Sequence, residues 1–225
     1  MADQTLELPE QNPHLGSRFR GFLPVVIDIE TGGFNYERHA VLEIAIVTLH
    51  MQENGLLRPY RTYFEHIIPH PDTEITQSSL EFTKIDPYHP FRFAISEKDA
   101  LKKIFSTIKQ HLKKAKCQKA ILVAHNAIFD MSFLQAVIKR NDIKANPFHP
   151  FSVIDTASLS AVFLGQTVLA RAVQAAGIPY YPAQAHSAIY DAEITASLFC
   201  EITNQWLLKK GWNKVDNHPI FINEI

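Results

Sequence analysis

The sequence predicts a mixed α/β fold: a five-stranded sheet, an antiparallel meander first and parallel strands after it, flanked by helices. Three observations predict it. Three β-patterned stretches follow one another between residues 22 and 68 with only short links. Asn54-Gly55, the strongest short-range hairpin signal, separates the second from the third. From residue 96 onward the apolar residues switch to helical spacing, and helices alternate with short strands, the order that covers a sheet with helices.

Taken in order, residues 1–17 are polar and read as a loose tail. Residues 22–30, "FLPVVIDIE", form the first strand, and the Val- and Ile-rich stretch 40–51 forms the second, mostly buried. Residues 60–68 return from the Asn54-Gly55 turn as the third strand. A Pro-rich loop follows. Leu101, Ile104, Phe105, Ile108 and Leu112 then mark one face of a helix. Ser96 is its expected N-cap, with Glu97 and Asp99 in the first turn, where the helix dipole favours acids. "KAILVAHN" is the fourth strand, a helix covers residues 129–140, and "FSVID" is the fifth strand with a helix behind it. Residues 167–176 form a further helix stopped by Gly177, and the last long helix spans residues 187–209.

Composition narrows the function classes. The formal net charge is -1 and the isoelectric point about 6.8, so the chain is not coated in positive charge and any phosphate contact must come from a local patch. Its two cysteines, Cys117 and Cys200, make neither a disulfide framework nor a zinc set. The first residues lack the basic end and apolar core of a signal peptide. No apolar run reaches bilayer-spanning length, so no membrane partner is expected. The chain reads as cytoplasmic, with reduced thiols.

The chemistry lies in acids at element ends. Strand alternation puts Asp28 and Glu30 on one face, at the end of a core strand. Two carboxylates held together either share a proton or hold a cation between them, and hard divalent ions, Mg²⁺ or Mn²⁺, suit oxygen ligands. Asp130 precedes Phe133, Leu134, Val137 and Ile138 at helical spacing, which turns it to the buried face. Asp191 stands in the same relation to Thr195, Leu198 and Ile202. His186 is off that face and falls on the loop before the helix, with Ser187 as a candidate N-cap. Beside acids, a loop histidine is a candidate general base, although a solvated side chain explains a lone one equally well. Gly32 and Gly33 follow shortly after Glu30, where backbone can pass close to a ligand.

Asp28-x-Glu30 after an apolar strand, Asn126-x-x-Phe129-Asp130, and His186 followed by four residues and Asp191 resemble the three motifs of the DEDDh 3′→5′ exonucleases. "RFRGFLPVVIDIETGGFN", "VAHNAIFDMSF", "NPFHPFSVIDTASL", "LGQTVL" and "QAHSAIYDAEITASLFCEI" resemble the ribonuclease T group among them. The resemblance covers roughly residues 18–212. It implies a ribonuclease H-like fold in a single exonuclease domain, residues 18–212, between a 1–17 tail and a 213–225 tail. It also implies an enzyme that trims the 3′ ends of tRNA and other structured, stable RNA precursors and acts on single-stranded DNA.

Under that resemblance Asp28, Glu30, Asp130 and Asp191 hold two Mg²⁺ ions on the order of 4 Å apart, with Mn²⁺ able to substitute. His186 takes a proton from the attacking water, and nucleoside 5′-monophosphates are released. Homodimers are expected, a basic patch of one subunit serving the site of the other; Arg18, Arg20, Lys119 and Lys144 match that patch by position. Phe34, Phe82, Phe129 and Phe151 are the candidates for stacking on bases, with core packing the alternative for each, since most of the 15 phenylalanines must be buried. Two departures stand out: Lys119 replaces an expected Arg, and Gln77-Ser78 replaces a Pro-Glu pair, and the acid missing at Ser78 leaves open whether this chain discriminates between 3′ bases as relatives do. A phosphatase with an Asp-x-Asp nucleophile fits poorly, because Glu30 is one methylene too long. A catalytically dead RNA-binding module and a DNA-proofreading exonuclease are the other readings.

Overall fold

A computed structural model describes residues 14–210. The expected tail at 213–225 lies outside the described residues. In chain order the elements are α1 (His14–Arg18), β1 (Phe22–Thr31), β2 (Val41–Met51), β3 (Leu57–His66), α2 (Gln77–Thr83), α3 (Glu97–Lys114), β4 (Lys119–Ala124), α4 (Ala127–Arg140), β5 (Phe148–Asp155), α5 (Thr156–Leu164), α6 (Leu169–Ala175) and α7 (Ala188–Lys210), with short 3₁₀ turns at Pro90–Arg92 and Pro182–Gln184.

The five strands form one sheet in the order β3-β2-β1-β4-β5. β1 is central: it pairs antiparallel with β2 and parallel with β4, while β3 and β5 extend the sheet on either side. The Asn54-Gly55 signal sets the β2–β3 turn. Gly55 takes φ 83 there, and the Asn54 side chain accepts the Leu56 N–H at 3.1 Å. β2 is buried along almost its whole length because α7 packs across β1, β2 and β3, so it reads as a continuous apolar run. α3 packs on β3 and β4, and α4 on β1, β4 and β5. Among the described residues no single helix is long and apolar enough to cross a membrane.

Two helices were not legible. α1 takes up the last residues of the segment expected as a tail, and its Leu15 is 1% exposed. α2 interrupts the expected Pro-rich loop. It has a Thr76 cap but no buried residue, so it carries no apolar stripe for periodicity to detect.

α3 begins as its sequence requires, the Ser96 hydroxyl accepting the Asp99 N–H at 3.1 Å. Its five stripe residues are all buried. Glu97 does more than complement the helix dipole. It is buried, and its carboxylate takes Arg140 Nε at 2.8 Å and Nη2 at 2.7 Å, together with Asn141 Nδ2 at 2.8 Å. The start of α3 is thereby fastened to the end of α4. Glu97→Ala should destabilise the fold by about 3 kcal/mol, because it leaves the Arg140 guanidinium uncompensated. Urea unfolding with an unaltered denaturant slope checks this; a loss below about 1 kcal/mol would mean the pair is not effectively buried.

Candidate active site

β1 ends on Asp28 and Glu30, and the first turn of α7 brings Asp191 against them. Carboxylate oxygens of these three residues all lie within 4.8 Å of one another. Asp130, in the first turn of α4, is 3% exposed, and its charge is the strongest neighbouring charge felt by Asp28. It stands beside the trio rather than within it.

Burial governs the electrostatics. Desolvation pushes Asp28 well above the usual carboxylate range, and Asp130, Glu30 and Asp191 push it in the same direction. Desolvation, followed by Asp191 and Glu43, raises Glu30 to about 8. Asp130 is raised by desolvation against the opposing pull of backbone groups at Asp130 and Ile29. Asp191 is raised by desolvation too, and the His186 N–H donated to its Oδ2 at 2.9 Å pulls the other way. Among the described residues no Lys or Arg forms an ion pair with any of the four. Buried, crowded carboxylate oxygens without a cation are what a hard divalent ion fits.

Two acids that the sequence reading missed hold this arrangement. Asp155, at the end of β5, accepts the N–H groups of Asn126 at 2.8 Å and Ala127 at 3.2 Å, and those of Ala157 at 3.3 Å and Ser158 at 3.0 Å. One carboxylate thus caps α5 and pins the entry to α4, where Asn126 is left-handed at φ 67. Its signal was an Asp at a strand end just before a helix. Glu43 faces Glu30 across β1 and β2, and His66 faces Glu43 across β2 and β3. Its Oε1 lies 3.0 Å from His66 Nδ1 and 3.7 Å from Arg92 Nη2. Its signal was a lone Glu inside an otherwise apolar strand, which burial obliges to find partners.

The rim carries the aromatics. His186 is exposed and left-handed at φ 65, and the Phe82 ring lies 4.0 Å from its own, centroid to centroid. Phe34 is 84% exposed and meets Phe129 edge-on at 6.4 Å; Phe129 in turn packs on buried Phe133 at 4.8 Å. Phe129 is half-buried, lying between exposed Phe34 at the rim and Phe133 in the core. Phe34 also lines a groove of about 530 Å³ with Gly33, Asn35, Tyr36, Thr76 and Ser78. Phe151 is exposed on edge strand β5, edge-on to His149. The close approach at the glycines is to the chain itself. A Cβ on Gly33 would lie 2.4 Å from the His39 ring, and one on Gly32 would lie 3.0 Å from Glu74 O.

The basic candidates separate. Arg18 is 8% exposed and donates to Gly55 O and Thr203 O, tying α1 to the hairpin turn and α7, so it is turned inward, away from any surface patch. Arg20, Lys119 and Lys144 are exposed. Arg20 lies over Phe22, Lys119 donates to Asn146 O at 3.2 Å, and Lys144 pairs with Asp142. Phe22 and Lys119 face each other at the start of the sheet. The strand rise puts that end about 25 Å from Glu30.

Carboxyl groups raised above their unfolded values bind more protons in the folded state, so stability falls as pH rises between the two values. For Glu30 that window runs from about 4.5 to about 8. In chelator, the melting temperature should fall between about pH 4.5 and about pH 8, and an added divalent cation should raise it more at the upper end. Scanning calorimetry checks the sign; a melting temperature that rises with pH in chelator would mean these acids are not crowded.

The profile of the exonuclease family matches residues 25–199. Ribonuclease T of Wigglesworthia glossinidia brevipalpis is 55% identical over 198 residues, 88% of this chain and 92% of that protein. Among solved structures, a full-length 3′-exonuclease superposes with TM-score 0.65 at 19% identity, covering 82% of this chain and 83% of the other. E. coli exonuclease I in complex with a dT13 oligonucleotide superposes at 0.63 and 16%, and this chain spans 42% of its length. The superpositions show that the mixed five-stranded sheet of this chain has the ribonuclease H-like fold. With a relative of that identity over nearly its whole length, the chain belongs to the ribonuclease T group of the exonuclease family and is a 3′→5′ exoribonuclease.

Proposed function

We propose that this enzyme trims the 3′ ends of tRNA and other stable RNA precursors in the cytoplasm, acts also on single-stranded DNA, and releases nucleoside 5′-monophosphates. The observation that carries the reading is the convergence of three carboxylate oxygens within 4.8 Å, next to a fourth buried acid, with no Lys or Arg among the described residues paired to them. Asp28, Glu30, Asp130 and Asp191 would hold Mg²⁺. When bound, such ions neutralise charge on the scissile phosphate and favour hydroxide over water as nucleophile.

The protein's own groups do the rest. His186 takes a proton from the water that attacks phosphorus, while the bond to the 3′-oxygen of the preceding nucleotide breaks. The hydrogen bond from its backbone N–H to Asp191 fixes the loop that carries the imidazole, so base and acid stay in register. Phe82 lies against the imidazole, and Phe34, braced by Phe129, offers a face to the terminal base. Ring faces stack on any base, which suits an enzyme that shortens RNA without reading sequence.

A homodimer belongs to the same reading. Arg20 and Lys119 stand at the opposite end of the sheet from Glu30, about 25 Å away along β1, so this patch does not reach its own acids. It is suited to the RNA entering a second subunit's site. Lys144 is the third member, and Arg18 contributes through the fold alone.

Asp28→Ala or Asp191→Ala should abolish shortening of 5′-labelled single-stranded RNA with the fold retained by circular dichroism; near-normal trimming by either variant would overturn the assignment. His186→Asn should lower kcat by roughly 10² to 10⁴ with Mg²⁺ binding kept. Mixing inactive Asp28→Ala with the double variant Arg20→Ala/Lys119→Ala should restore part of the activity, through dimers with one intact site. No recovery on mixing would argue against sharing between subunits.

A further inference from the structure

The segment between α2 and α3 is unused by the mechanism above. It leaves Phe82, which lies on His186, and returns to the edge strand β3, where Ile95 N–H donates to His66 O at 3.0 Å and Ile68 N–H to Ile95 O at 2.8 Å. It therefore arcs along the acid-bearing end of the sheet. Arg92 fastens its middle: its Nη2 donates to Leu42 O at 2.9 Å and lies 3.7 Å from Glu43. Glu30, Glu43 and His66 face one another across three adjacent strands, so Arg92 is anchored about 10 Å from the acids.

The residues around that anchor are exposed and aromatic. Tyr88 is 76% exposed, Phe91 75% and Phe93 82%, and they are the exposed large apolar residues of this segment. Phe93 takes φ 51, the left-handed region that a bulky side chain rarely adopts. Such strain persists where surrounding structure enforces it, here the inward clamp of Arg92 on the preceding residue. Lys84, exposed at the start of the segment, shares a groove of about 520 Å³ with Phe82, His186 and Tyr190, and among the described residues it forms no ion pair.

We propose that Tyr88, Phe91 and Phe93 form a stacking platform for the unpaired nucleotides upstream of the RNA 3′ end. The proposal rests on the exonuclease reading of the acidic site and adds a second region of substrate contact. Three features favour nucleic acid over a protein partner. The exposed apolar residues are all aromatic, and every base offers a π face to such rings. A cation stands where the segment leaves the site, suited to the backbone phosphate. The platform also adjoins the site that receives the 3′ end. RNA leaving the acids past Phe82 and Lys84 meets Phe91 and Phe93 next, so a longer single-stranded end is held more tightly than a short one.

The test compares hydrolysis of a dinucleotide with that of a single-stranded RNA of about twelve nucleotides by the wild type and by Tyr88→Ala/Phe91→Ala/Phe93→Ala. Expected is a KM for the longer RNA raised about tenfold with kcat retained, and a preference for long over short substrate reduced by the same factor. The aromatic variant Tyr88→Phe/Phe91→Tyr/Phe93→Tyr should keep the wild-type KM, whereas Leu at all three positions should behave as Ala does. An unchanged KM for the longer RNA in the folded Ala variant overturns the proposal. So does full retention by the Leu variant, or a loss of dimer in sedimentation that accounts for the defect, since either makes the patch an apolar protein contact. Absence of metal-dependent 3′ shortening by the wild type would instead fail the exonuclease reading itself.

Discussion

Carboxyl groups crowded away from water, with no cationic side chain paired to them among the described residues, are the constraint on which the rest of this molecule depends. Asp28, Glu30, Asp130 and Asp191 come from three elements, and each has lost much of its hydration. Their mutual repulsion is a standing force that tends to open the end of the sheet. The surroundings resist it with bonds that are neither local nor optional. Asp155 holds the entry of α4 to the end of β5, Glu97 fastens the far end of α4 to α3, and Glu43 links the β1–β2–β3 row to Arg92. Rigidity around the site is thus built from other carboxylates, each of them fully partnered.

That contrast separates the two kinds of buried acid in the fold. Glu97 has three donors within 2.8 Å and serves stability. The four at the end of β1 have neighbours of their own sign. Such an arrangement either takes up protons or takes a cation, and a cluster that could hold a metal ion therefore carries a cost in the metal-free fold.

Much of this was legible because periodicity fixes direction. Alternation along β1 put Asp28 and Glu30 on one face, and helical spacing turned Asp130 and Asp191 toward the core. The mixed sheet, a meander and then parallel strands, followed from three consecutive strands and then alternation with helices, while the order of the strands came only with the fold. What escaped had no periodic signature. α2 buries nothing, so no stripe marks it. Arg18 looks like any surface cation in sequence, and only the fold reveals that its partners are carbonyls 37 and 185 residues away. Asp155 and Glu43 act through neighbours that are remote in the chain, information that a linear pattern does not hold. The glycines after Glu30 were read as a place of close backbone approach, and the fold adds that His39 and Glu74 of the same chain fill the space a Cβ would need there.

The position of α7 has a consequence for how the chain comes into being. β1, the first strand made, carries two members of the acidic trio, and the third arrives only with the last helix, more than 160 residues later. α7 also covers β1, β2 and β3, so the face it closes stays open until then. A growing polypeptide on the ribosome, surrounded by RNA, therefore carries an incomplete acidic cluster for most of its synthesis. Completion of the cluster and completion of the core are one event, so a chain cut short before its final helix lacks both.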